Sequence, residues 1–183
     1  KITFIAQHTL SVSRIPQIIR TINKLSPKTS FRVIPANNYY CETLFLKEGD
    51  LLLCYQTSSR PINFTHTSIL KTKLGNECLL PVVSRELAAN MGPIKEGMKL
   101  PILMYPKGGF LAESLENTCL PRIFRDYRVE LVCESAFSAS LKEMTLGSMG
   151  IAWLAKDLIE AELDSGELIS LEEPLGSVAL EVL

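Results

Sequence analysis

Histidine is scarce in this sequence. His8 and His66 are the two it has in 183 residues, so a histidine-rich metal site is not expected. Cysteine is also sparse and badly placed for bridging. Cys41, Cys54, Cys78, Cys119 and Cys133 make an odd count with no close pair, which argues against a disulfide framework and against a CxxC metal knuckle. Buried reduced thiols are the expectation. Excess charge of one sign is missing: 19 Lys and Arg against 20 Asp and Glu give a net charge of −1, with no basic run to form a nucleic-acid surface. No apolar stretch approaches the ~18–20 residues of a membrane helix, and no membrane partner is expected. No signal-peptide pattern opens the chain, since Lys1 leads straight into a strand pattern. GxSxG, P-loop, GxGxxG and HExxH motifs are absent, so no catalytic residues and no cofactor are expected. Gly147-Ser148-Met149-Gly150 has the wrong spacing for a nucleophile elbow.

What is present is the composition of an ordinary globular domain, 46% hydrophobic and 21% charged. The first half alternates strand and helix signals. Ile2–Ala6 is a β-branched and aromatic run. Apolar residues at 15, 18, 19, 22 and 25 make a helical stripe, which Ser26-Pro27 ends. Phe31–Pro35 reads as a strand, Tyr39–Lys47 as a short helix and Leu51–Tyr55 as a strand buried on both faces. Gln56–His66 is a polar connection, and Thr67–Lys71 reads as another short strand. In the second half, strands are expected at 78–83, 100–104, 129–133, 151–154 and 168–171. Helices are expected from a Ser84 cap and at 110–119, with Pro121 beyond its end, 137–146 and 155–163. The pattern is α/β with right-handed crossovers. It divides into subdomain I, 1–72 with 176–183, and subdomain II, 76–172. The chain is expected to continue past Leu183.

In open parallel sheets, ligands bind beyond the carboxyl ends of the strands, where loops feed helix N-termini that favour anions. Three such places carry candidate contacts. "AQHTLSVSRIPQII" at 6–19 places His8, Thr9 and Ser11 after the first strand, with Ser13 as the expected N-cap and Pro16 in the first helical turn. Tyr105-Pro106-Lys107-Gly108-Gly109 offers Tyr105, a cation at Lys107 and, through Gly108 and Gly109, a close backbone approach to a ligand. Glu134 to Ser140 offers Phe137 and Ser138, and Tyr55 ends a strand on the same side as the first group. Loops of this kind facing one another across two domains would line an interdomain cleft.

The order of these elements resembles the effector-binding domain of LysR-type transcriptional regulators. The likeness is carried by the "RIPQII" helix, "LKEGDLLLCY" at 46–55, "KLGNECLLPVVS" at 73–84 and "SASLKEMTLGSMGIAWLAKDLIEAELDSGELISL" at 138–171. Ala155 stands where that family usually has proline. "AQHTLSVSRIPQII", "PILMY" and "GIAWL" look most like its hypochlorite-responsive subgroup. The resemblance implies the type 2 periplasmic-binding-protein fold, two Rossmann-like subdomains with mostly parallel sheets and an interdomain cleft. It implies a small-molecule or anion effector, a cytoplasmic protein, and a homodimer or homotetramer. It also implies DNA binding through an N-terminal winged helix-turn-helix absent from this chain. Oxidant sensing through methionine is the alternative it raises, although Met104, on an apolar strand, is expected in the core. A transport-linked solute-binding protein of the same fold is the rival from another class.

Overall fold

The computed structural model describes residues 1–64 and 68–183, apart from the side chains of Asn38 and Tyr39. Its contacts divide the chain into two compact units. Unit 1 holds 1–77 and 180–183, and unit 2 holds 78–179.

Unit 1 is built on strand β1 (Ile2–Gln7), which lies between β2 (Phe31–Ala36) and β3 (Leu51–Leu53), parallel to both. A central strand covered on both faces favours an apolar run, and Phe4, Ile5 and Ala6 are all buried, with Thr3 and Gln7 buried beside them. Helices α1 (His8–Ser13), α2 (Ile15–Leu25) and α3 (Asn38–Glu48) supply the crossovers. Ile5, Ala36 and Cys41 pack with Leu44, Phe45 and Leu52 on the α3 side. The turn after α3 runs so close to this core that a Cβ on Gly49 would lie 2.7 Å from Ile5 and 2.9 Å from the Phe45 ring. Asp50 then locks the turn to β1, accepting the Thr3 amide at 2.7 Å. The two residues of β4 (Tyr55–Gln56) pair antiparallel with β10 (Val178–Val182).

Unit 2 mixes parallel and antiparallel pairing. Strand β5 (Gly75–Ser84) pairs antiparallel with β8 (Ala152–Ala155) and β9 (Leu168–Ser170). Strands β6 (Lys99–Met104) and β7 (Arg128–Glu134) run parallel, with a register shift between Ile102 and Leu103. Helices α4 (Arg85–Met91), α5 (Phe110–Glu116), α6 (Leu120–Asp126), α7 (Ser138–Leu146), α8 (Lys156–Ser165) and α9 (Glu172–Leu175) complete the unit. Its core gathers Leu79, Val83, Leu100, Ile102, Leu141 and Trp153. The Trp153 indole N–H donates to the Gly176 carbonyl at 2.9 Å, which satisfies the one polar atom of a buried ring. Both units are therefore α/β, as the element order implies.

Several local expectations change. Residues 8–13 form a helix rather than a hydroxyl-rich loop, and Arg14, not Ser13, occupies the N-cap position of α2. The reason is steric continuity. Helix α1 begins directly at the end of β1, and the Ser11 hydroxyl bonds back to the His8 carbonyl at 2.7 Å instead of competing for a cap. Pro16 does sit in the first turn of α2. Pro121 does lie beyond the end of α5, and it also stands in the first turn of α6, where a missing N–H is tolerated. Ser84 caps α4, accepting the Leu87 amide at 3.1 Å. Of the expected strand at 67–71, Thr67 and the neighbouring His66 lie outside the described residues, and 68–71 is not a strand. Met104 is half-buried rather than fully in the core.

Candidate functional site

In unit 1 the parallel register places the ends of β1 and β3 at one edge of the sheet, since Ala6 pairs with Leu53. The chain beyond them brings His8, Thr9 and Tyr55 to that edge. The link is Gln7, which the sequence did not single out: its side-chain carbonyl accepts the Tyr55 amide at 3.1 Å. Thr9 is buried, and His8 and Ser11 are half-buried. Tyr55 is fully buried, so its ring is part of the core as well as of this edge. The Ser13 hydroxyl is buried with no hydrogen-bond partner among the described residues.

Unit 2 repeats the arrangement with β6 and β7, where Met104 pairs with Glu134 and the Ser135 amide donates to the Met104 carbonyl at 3.0 Å. This brings Tyr105 together with Ser138, while Lys107 and Phe137 follow the ends of the same two strands. The Tyr105 and Ser138 hydroxyls lie 2.8 Å apart, and Tyr105 donates to the Trp153 carbonyl at 3.1 Å. With the phenol hydrogen committed to Trp153, Ser138 is the donor between the two hydroxyls. Burial pushes the Tyr105 phenol above its ordinary range, and the Ser138 hydrogen bond only partly opposes this. Lys107 is exposed beside Gly108, whose φ of 84° suits glycine. Phe137 is 52% exposed, an aromatic left in solvent at the start of α7. Ser135 Oγ accepts its amide at 3.2 Å.

Further polar chemistry lies apart from these residues. In unit 2, Ser84 and Ser148 share a 2.8 Å hydroxyl contact, and Ser148, at φ 60°, donates to Glu86 at 3.2 Å. No sequence pattern announces this group, because Ser148 comes from a glycine-rich stop 62 residues along from Glu86. Cys41 and Cys54 are buried, and burial pushes both thiols up to about 12. A groove of about 880 Å³ on unit 1 is lined by Arg14, Ile18, Phe45, Leu51, Leu70 and Leu183 among others, and it includes none of the expected site residues. Among the described residues no helix is long and apolar enough to cross a membrane.

No curated protein sequence matches the chain. Solved structures of similar fold do. VV2_1132, a LysR family transcriptional regulator, is 22% identical with a TM-score of 0.80, over 99% of this chain and 61% of that one. The apo regulatory domain of HypT from Salmonella typhimurium is 20% identical with a TM-score of 0.79, over 99% of this chain and 83% of that one. Vibrio fischeri DarR, solved in complex with DNA, is 20% identical with a TM-score of 0.77, over 99% of this chain and 60% of that one. The chain thus spans about three fifths of the length of VV2_1132 and DarR, and these likenesses establish its fold. The family model for the LysR substrate binding domain matches residues 1–181, so the chain belongs to the LysR substrate-binding domain family.

Proposed function

We propose that this domain is the effector-sensing part of a bacterial DNA-binding transcriptional regulator and that it binds a small anion between its two subdomains. The observation that carries the reading is the convergence of candidate contacts at the carboxyl ends of parallel strands in each unit, His8, Thr9 and Tyr55 in one and Tyr105, Lys107, Phe137 and Ser138 in the other. Membership of the substrate-binding-domain family and the strand-end position of these residues both support the reading. Lys107 provides the positive charge. The first turn of α7 provides neutral N–H donors, while the Ser11 hydroxyl already donates to the His8 carbonyl. Effector binding would alter how DNA-binding heads outside this chain are spaced, in a cytoplasmic homodimer or homotetramer. Calorimetry against small organic acids and inorganic anions tests the reading. At least one should bind, and Lys107→Met should weaken it about tenfold or more. If no acid or anion binds, the reading fails.

A second reading has its own observation. Met149 is 46% exposed, so an accessible thioether is present for oxidant sensing of the hypochlorite type. HypT, whose full-length structure is described as a hypochlorite-specific regulator, shares the fold.

A further inference from the structure

The chain leaves unit 1 at Glu77 and re-enters it at Leu180. Both passages are tied together close to those points. The Leu74 amide donates to the Val182 carbonyl at 2.8 Å. One carboxylate oxygen of Glu181 pairs with Lys73, and the other accepts from the Gln56 side-chain nitrogen at 2.6 Å. The Gln56 carbonyl oxygen in turn accepts from Lys71 at 2.9 Å and from the Ile62 amide at 3.3 Å. One glutamine and one carboxylate therefore collect β4, β10, Ile62, Lys71 and the lead into β5. The Lys73 and Gln56 hydrogen bonds hold the Glu181 carboxyl below its usual range, so the group is charged at neutral pH. Gln56 also directly follows Tyr55, whose amide is held by Gln7 beside His8 and Thr9.

We propose that Gln56, Glu181 and Lys73 form a clamp that makes the two linking strands respond as one to displacement at Tyr55. It is a set of positioning residues, and its relay role rests on the effector reading above. Exposed single ion pairs contribute little. Here one carboxylate is held by two partners, and the second partner also binds a third segment, so removing either end releases several contacts at once.

The test needs no effector, so its failure is separable from that of the effector reading. Amide exchange is followed by NMR or mass spectrometry in the domain. Interunit distance distributions are measured with fluorophores attached through unnatural amino acids at exposed Lys28 and Glu143. In E181A and in K73M, the amides of Leu74, Cys54 and Leu183 exchange together about fivefold faster, while those of Phe4 to Ala6 keep their rates. The distance distribution widens in the same variants, and E181Q, which keeps an acceptor for the Gln56 nitrogen, changes both readouts less than E181A. Unchanged exchange overturns the proposal. So does faster exchange with an unchanged distance distribution, because the contacts would then be a local staple. If E181A does not fold, Q56A carries the same comparison.

Discussion

The Gln7 side chain holds the Tyr55 backbone, its carbonyl 3.1 Å from the Tyr55 amide across 48 residues of sequence. Both residues are buried, so this one hydrogen bond joins the end of β1 to the start of β4 where water cannot replace it. Gln7→Leu keeps the volume and removes the acceptor. The buried Tyr55 N–H is then unsatisfied, and unfolding free energy should fall by about 1–3 kcal/mol. Urea denaturation of the two proteins measures it, with an unchanged m-value as the sign that the fold is intact.

Tyr105 and Ser138 should behave as a coupled pair. Tyr105→Phe strands the Trp153 carbonyl, and Ser138→Ala removes the donor to the phenol oxygen. Each should cost about 1–2 kcal/mol, and the double variant should cost less than the sum by about 0.5 kcal/mol or more. A double-mutant cycle by chemical denaturation checks this. Strict additivity would mean that the 2.8 Å contact carries no energy of its own.

The two expectations for residues 8–13 show what the sequence carries and what it hides. The apolar run of β1 and the stripe of α2 are readable because burial on one or two faces forces a period. The run at 51–55 reads as a strand but not as one buried on both faces, since β3 ends at Leu53 on the edge of its sheet, where Leu51 is 44% exposed. Helix α1 is not, because three hydroxyl residues in six lower helix propensity, and the back-bond of Ser11 to the His8 carbonyl is a local contact that no periodicity records. Pro16 and Pro121 make the same point from opposite sides. Each stands in a first helical turn, but Pro16 opens an apolar stripe that continues to Leu25, whereas Pro121 follows a helical run close enough to read as that run's terminator. At the candidate site, the strand-to-helix positions are legible from element order. Gln7 is not, since its partner lies 48 residues away and only the β1–β3 register brings the two together.

The buried thiols give the domain an alkaline limit. Cys41 and Cys54 ionise near 12 in the folded protein, against an ordinary value of 9.0. The unfolded chain therefore loses these protons first. Stability is fully present below about pH 9 and declines as pH rises towards 12, because the unfolded state then binds fewer protons than the native state. Denaturation curves between pH 7 and 11 should show this fall. The variant C41A/C54A, though less stable at pH 7 from the lost packing, should show a flatter profile over the same range. At neutral pH, iodoacetamide should modify the half-buried Cys78 and Cys133 well before Cys41 or Cys54.

Oxidation supplies the measurement that separates the two sensing modes. Met149 is 46% exposed, whereas Met91, Met98, Met104 and Met144 are only partly so. Substoichiometric hypochlorite should therefore give sulfoxide first at Met149, as read by peptide mass spectrometry. Met149 lies next to Ser148, the residue with positive φ whose hydroxyl joins Ser84 and Glu86. A polar sulfoxide there could act on a strained turn and not merely on the surface. If oxidation at Met149 shifts the melting temperature by several degrees and Met149→Leu abolishes the shift, the oxidant reading gains a structural route. If oxidation at Met149 leaves the melting temperature unchanged while an organic acid raises it, the thioether is a bystander and the anion reading stands.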